Sequence, residues 1–261
     1  MLLTCNIENA NIFLGLFDGD SMVFDSQIAT CRERTVDEYA ILISSLFSMN
    51  RFSLASVKGA IISSVVRPLN TTLSQAIEKL IKVKPLLVGP GIKTGLNIKT
   101  DIPSQVGADI VASAVAAIAL AKSPLVLLDF GTATTLTGIN AQGELCGVLI
   151  CPGVRSALDA LSGNAAELPA ISLESPRVFL GKNTNDSMVS GFVYGNAAMI
   201  DGLLDRTAAE WRTDELTVIA TGEIASKIIP YCRWNERIQY EPNLTLTGLK
   251  IIYHLNNRPK T

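Results

Sequence analysis

One layout occurs twice, about half a chain apart. Near the N-terminus, "TCNIENANIFLGLF" (residues 4–17) reads as a strand, a polar turn and a second strand, and "DGDSMVFDSQIAT" carries it on. Apolar residues alternate on both sides of Asp18-Gly19, a dipeptide that favours tight hairpin turns. At Pro124 the pattern restarts as "PLVLLDFGTATTLTGINAQGELCGVLICPG", with its hairpin turn at Gln142-Gly143. Gly19 follows Asn6 by 13 positions, and Gly143 follows Asp129 by 14. Such a repeat predicts a two-lobed α/β protein with a cleft between the lobes, the other reading being a chance likeness of two hairpins. The boundary falls near residues 118–124, giving lobes 1–118 and 119–261.

The segments between the hairpins fit that plan. "TVDEYAILISSLFSM" has helical spacing with Thr35 as N-cap, and "NTTLSQAIEKLIKV" is a second amphipathic helix. "VKGAIISSVV" reads as a buried strand ending at Pro68, and "PLLVG" as a short one. "GPGIKTGLNIKTDIPSQVG" is a Gly/Pro-rich loop leading to the helix "IVASAVAAIALAK".

Composition narrows the function classes. Of 261 residues 48% are hydrophobic and 18% charged, enough for a sizeable core. A net charge of −2 and a pI near 5.5 give no electrostatic case for nucleic acid or an anionic membrane. The start lacks a secretory signal, and the Ala-rich run 110–120 is shorter than the roughly 20 residues a bilayer needs, so a soluble, cytoplasmic protein is expected. Five scattered cysteines without CxxC spacing read as buried free thiols rather than a disulfide or zinc framework. With His254 the only histidine, a carboxylate is the expected general base.

Two stretches carry chemistry. In "DFGTATT", Gly131 lets backbone approach a ligand, Thr132, Thr134 and Thr135 supply hydroxyls, and successive N–H groups can form an anion nest. Asp129 at its head could hold a cation or orient a water; the plainer reading is a Thr-rich turn. In "VGADIV", Asp109 stands directly before a helix, where it is either an N-cap or a base toward a substrate hydroxyl.

Together with "GPGIKTGLNIKTDIPSQVGAD", "LLDFGTATTLT", "PGVRSALDALS", "GKNTNDSMVSGFVYG", "IATG" and "LTLTGLKIIYHLN", these stretches resemble the type III pantothenate kinases over nearly the whole chain. That family belongs to the acetate kinase/sugar kinase/Hsp70/actin superfamily. The resemblance implies two ribonuclease H-like lobes with mixed sheets flanked by helices and nucleotide in the cleft. It implies transfer of the ATP γ-phosphoryl to the primary hydroxyl of pantothenate, the first step of coenzyme A synthesis. It also implies Mg²⁺, a monovalent cation (K⁺ or NH₄⁺) and a homodimer. By motif, Asp109 is the base within a pantothenate-binding segment of Gly107, Ala108, Asp109 and Ile110. Asp129 is the monovalent-cation ligand. Asn6, Asn9, Gly131, Thr132 and Thr134 serve nucleotide, and Thr184 reaches pantothenate from the other subunit. The run containing Gly191, Gly195, Ala197 and Ala198 reads as the dimer interface or as ordinary core packing.

The first phosphate loop departs from the family's Asp-x-Gly-Asn-Thr. Here Asn6 replaces a carboxylate expected to support Mg²⁺, Glu8 a glycine, and Ala10 a hydroxyl donor; only Asn9 is kept. Ile110 stands where the family has arginine. These changes predict impaired catalysis, or an inactive family member acting as a ligand-binding or regulatory dimer. Glu8 either repels nucleotide or supplies the missing metal carboxylate.

Overall fold

The computed structural model describes residues 1–257, so positions 258–261 of the expected second lobe lie outside it. In chain order come β1 (Leu2–Ile7), β2 (Asn11–Asp18), β3 (Ser21–Ala29), α1 (Val36–Met49), β4 (Gly59–Ser64), α2 (Leu69–Ile81) and β5 (Leu86–Leu87). Next are β6 (Asn97–Ile98), α3 (Ala108–Leu120), β7 (Leu125–Phe130), β8 (Ala133–Ile139), β9 (Glu144–Pro152) and α4 (Val154–Asn164). The chain closes with α5 (Thr184–Trp211), β10 (Thr217–Thr221), α6 (Ala225–Ile228), β11 (Ile238–Tyr240) and α7 (Leu244–Asn256).

These elements form two compact units. The first holds residues 1–97, 101–119 and the chain from Asn243 onward; the second holds 98–100 and 120–242. The first unit's sheet has the order β3-β2-β1-β4-β5, with β1 antiparallel to β2 and parallel to β4. The second sheet, β11-β10-β7-β8-β9-β6, repeats that order in β9-β8-β7-β10-β11, again antiparallel on one side of the first strand and parallel on the other. The two hairpins are therefore matching parts of duplicated ribonuclease H-like sheets. Both hairpin turns place glycine at positive φ, Gly19 at 59° and Gly143 at 74°, where other residues are strained.

In the first unit each sheet face has its own core. Alternate residues of β1 point to opposite sides. Leu3, Cys5 and Ile7 pack with Ile43 and Phe47 of α1 and Leu73 and Ile77 of α2. Leu2 packs with Ala112 and Val115 of α3 and Leu246, Leu249 and Ile252 of α7. A Cβ on Gly248 would lie 1.8 Å from the Ala112 carbonyl oxygen, so α7 crosses α3 with no room for a side chain. The expected boundary assigned everything after residue 118 to the second lobe; α7 instead returns to cover the first sheet, because its apolar stripe has its partners there. In the second unit Val126, Leu128 and Leu136 pack against Val193, Ala197, Ile200 and Leu204 of α5.

Local expectations fare unevenly. Thr35 caps α1 in a reciprocal capping box with Glu38. β4 ends at Ser64, before the expected Pro68, because the Val66 N–H turns onto Ser64 Oγ. The Gly/Pro-rich loop gains β6, and Lys99 N–H donates to Leu145 O at 2.8 Å. All five thiols are free, yet only Cys5 and Cys232 are buried; Cys146 is exposed on β9, a strand with a single buried residue, Leu145. Among the described residues no helix is long and apolar enough to cross a membrane.

Candidate active site

The loop joining β1 to β2 is Glu8-Asn9-Ala10, and it is pinned at both ends. The Glu8 N–H donates to Asn11 O at 2.9 Å, Thr30 Oγ1 donates to Glu8 O at 2.7 Å, and Thr30 N–H donates to Ala10 O at 2.9 Å. Asn6, next to last on β1 and 1% exposed, is paired at both ends of its amide. Its oxygen accepts from Ser63 Oγ, in register on β4, and its Nδ2 donates to Glu8 Oε1 at 2.8 Å. Glu8 is half-buried, while Asn9 and Ala10 are exposed.

Asp109 lies in the first turn of α3, which begins at Ala108, so it is not the N-cap its position before an Ala-rich run allows. Asp109 Oδ1 accepts from the Ile110 N–H at 2.8 Å. A Cβ on Gly107 would sit 2.3 Å from that oxygen, which makes glycine the residue that leaves room for this carboxylate. Burial pushes the Asp109 pKa above the ordinary aspartate value, with backbone hydrogen bonds offsetting part of the rise. Gly107, Ala108 and Ile110 are half-buried around it. His254 is exposed in the last turn of α7.

In the second unit Asp129 is next to last on β7, the place Asn6 holds on β1, and is half-buried. It pairs in register with Thr135 on β8 and Thr221 on β10. The tight loop Gly131-Thr132 is enclosed by backbone. Cβ atoms on Gly153 and Gly222 would lie 2.2 Å from Thr132 O and 2.7 Å from Phe130 O. Ser156 Oγ, in the first turn of α4, donates to Thr132 O at 2.8 Å. Thr132 is exposed and Gly131 half-buried. Thr134 pairs with Phe130, one step from Asp129, so its side chain projects from the opposite sheet face; its buried hydroxyl has no partner.

Thr184 is the first residue of α5, exposed, after Asn183, whose side chain accepts the Asp186 N–H. It lines a cavity of about 830 Å³ with Ser187, Gly191, Phe192, Leu161 and Leu168. Gly191, Gly195 and Ala198 are exposed along α5, whereas Ala197 is 2% exposed and packs into the core. The fourth small residue on the outward side is Gly202, half-buried and four positions beyond Ala198.

A family model for type III pantothenate kinase matches residues 2–206. The chain belongs to that family. The curated type III pantothenate kinase of an Exiguobacterium species is 42% identical over 99% of this chain and 100% of its own length. That of Geobacter sulfurreducens is 41% identical over 98% and 99%. Solved structures are similar in fold at much lower identity. A putative 2-dehydro-3-deoxygalactonokinase from Sinorhizobium meliloti has a TM-score of 0.64 at 9% identity, covering 100% of this chain and 98% of its own. A putative Baf family transcriptional activator from Campylobacter jejuni has 0.59 at 19%, covering 97% and 98%.

Family membership implies ATP and a divalent cation, and the donors present set the terms for the metal. Among the described residues no three His, Cys, Asp or Glu side chains form a metal-holding group. Mg²⁺ in kinase sites keeps waters and phosphate oxygens and takes only one or two protein carboxylates. Half-buried Glu8, at the start of the first hairpin loop, fits that limited role.

Sequence reasoning missed Ser63 and Thr30, which hold Asn6 and the Glu8 loop from 57 and 22 residues away. It quoted "PGVRSALDALS" and "IATG" without roles. The structure sets Gly153 and Ser156 against Gly131-Thr132, and Gly222 against the backbone of Phe130 just before that loop. The signal available was a glycine next to a strand end in each motif.

Proposed function

We propose that this chain transfers the γ-phosphoryl of ATP to the primary hydroxyl of pantothenate. The whole-length relation to curated type III pantothenate kinases supports the reaction, and the observation that carries the mechanism is Asp109. A carboxylate whose pKa is raised by burial is a better proton acceptor than an ordinary one, and phosphoryl transfer otherwise asks mainly for positioning and charge neutralisation. Asp109 takes the hydroxyl proton. Gly107 keeps the space its carboxylate occupies, while Ala108 and Ile110 flank the substrate. Ile110 brings no cation of its own to the carboxylate of pantothenate, which favours a raised KM. Gly131 and Thr132 serve nucleotide phosphates, as does Asn9 of the first hairpin loop, which Asn6 supports. Thr134, buried on the opposite sheet face, does not, and Asp129 serves a K⁺ or NH₄⁺ ion. A divalent cation arriving with the nucleotide would neutralise phosphate charge. Two copies pair along the small residues of α5, so that Thr184 reaches the pantothenate of the other protomer, in the cytoplasm.

The test is ADP release coupled to a spectrophotometric readout, with pantothenate, ATP, Mg²⁺ and K⁺. Pantothenate-dependent turnover is expected, and Asp109→Asn lowers kcat by about 10²–10⁴-fold. The base must be ionised to act, so kcat/KM falls as pH drops through a pKa above the ordinary aspartate range. Turnover indifferent to Asp109→Asn, or no pantothenate-dependent turnover at all, overturns the reading.

A further inference from the structure

Asn6 and Asp129 occupy the same position in two copies of one sheet. The second copy has its carboxylate on the strand. In the first, that place holds an amide, and a carboxylate appears two residues on, at the start of the loop. The two side chains are joined: Asn6 Nδ2 donates to Glu8 Oε1 at 2.8 Å.

An amide, unlike a carboxylate, can make that contact. Ionised Asp and Glu only accept hydrogen bonds, so an aspartate at position 6 would set acceptor against acceptor. The amide satisfies both neighbours at once, accepting from Ser63 Oγ and donating to Glu8. The loop also fixes the Glu8 backbone, through its N–H to Asn11 O and its C=O from Thr30 Oγ1. Glu8 is thus held by its N–H, its carbonyl and one carboxylate oxygen.

We infer that the cation-binding carboxylate of the first hairpin has moved from the strand to Glu8, and that Asn6 is the positioning residue that aims it at the divalent ion of a metal–nucleotide complex. The inference rests on the kinase reading for its ligand, but its measurement is binding.

The experiment titrates Mn²⁺ into the full-length protein with ADP present and follows free Mn²⁺ by electron paramagnetic resonance. Binding of ADP in EDTA is measured alongside. Glu8→Gln keeps the shape and the acceptor oxygen but removes the charge, and is expected to weaken Mn²⁺ binding at least tenfold while leaving metal-free ADP binding within twofold. Asn6→Ala is expected to weaken Mn²⁺ binding three- to tenfold, and to add nothing in the Glu8→Gln background. The double variant Asn6→Asp/Glu8→Gly, which returns the carboxylate to the strand, should restore Mn²⁺ affinity to within threefold of the native chain. A merely structural role for Asn6 would not give that rescue. The inference is overturned if Glu8→Gln leaves Mn²⁺ affinity unchanged or tightens metal-free ADP binding, the mark of simple repulsion. It also falls if the native chain binds no Mn²⁺ with ADP. A native chain that binds Mn²⁺–ADP through Glu8 yet leaves pantothenate untouched would overturn the kinase reading alone.

Discussion

In the first unit Asn6 and Ser63 lie side by side on β1 and β4; in the second, Asp129 and Thr221 lie in register on β7 and β10. Sheet order and strand direction match, but the loops that follow are held by different means. Glu8-Asn9-Ala10 is held by polar contacts, from Thr30, Asn6 and the Asn11 carbonyl. Gly131-Thr132 has hydrogen bonds of its own, Gly131 N–H to Ala133 O and Ser156 Oγ to Thr132 O, and in addition its backbone is pressed against Gly153. A polar network can lose one member and rearrange, since a net hydrogen bond contributes only about 0.5–1.5 kcal/mol. A cradle in backbone contact has no such slack. That difference fits the first loop's departures, at positions 6, 8 and 10, from the motif that the family resemblance implies.

The largest effect should come from adding a single methyl to the rigid side. Gly153→Ala places Cβ 2.2 Å from Thr132 O and 2.5 Å from Gly131 O, both backbone atoms that cannot rotate away. We expect a loss of about 3 kcal/mol or more in urea unfolding, the range of severe overpacking, together with loss of ADP binding. A destabilisation below about 1 kcal/mol would show that the second loop yields as easily as the first, and the contrast would fail.

Next comes Asn6→Asp, which makes the first strand read like the second. With Glu8 retained, two carboxylates meet where an amide now bridges, at an expected cost of about 1–3 kcal/mol near neutral pH. Crowded carboxylates hold one folded-state pKa above its unfolded value. The native state then binds more protons than the unfolded chain, so the variant gains stability on acidification and loses it as pH rises through that pKa. Melting temperatures of native and variant chains should diverge from acid toward neutral pH, and Glu8→Gly in the same background should close the gap. Parallel curves would mean the two side chains do not interact.

How far all this could be read from the sequence follows the range of each contact. The hairpins and the Thr35 N-cap depend on neighbours a few residues apart, and the sequence shows them directly, as it shows the repeat of the hairpin layout half a chain on. The Ser63–Asn6 bond spans 57 residues, and nothing near Ser63 marks it as the partner of a strand amide. The return of α7 to the first unit is equally nonlocal, since the partners of its apolar stripe, Leu2, Ala112 and Val115, lie more than a hundred residues upstream. On α5, four-residue steps from Gly191 to Gly195 and from Ala198 to Gly202 mark one side, but small size alone did not separate Ala197, which faces the core. At the candidate site, residue types were legible and their supports were not. Asp109 was identified while the room made by Gly107 was hidden, and Glu8 was noticed as a misplaced charge without the amide that holds it.

The finest test of the contrast compares one hydroxyl from each loop. Thr30 Oγ1 donates to Glu8 O, and Ser156 Oγ donates to Thr132 O, at 2.7 and 2.8 Å. The distances are nearly equal, but the dependence on them is not. Thr30→Val removes a main restraint on a polar loop and should cost about 1–1.5 kcal/mol, the upper part of the usual range for one hydrogen bond. Ser156→Ala removes an exposed contact from a loop already packed against Gly153, and should cost about 0.5 kcal/mol or less. Amide hydrogen exchange separates the two more sharply than unfolding does. Thr30→Val should speed exchange at the Glu8 N–H, which bonds Asn11 O across the loop. Ser156→Ala should leave the Gly131 N–H, bonded to Ala133 O, as protected as before. Equal loss of protection in both would mean that backbone contact adds nothing to the second loop's rigidity.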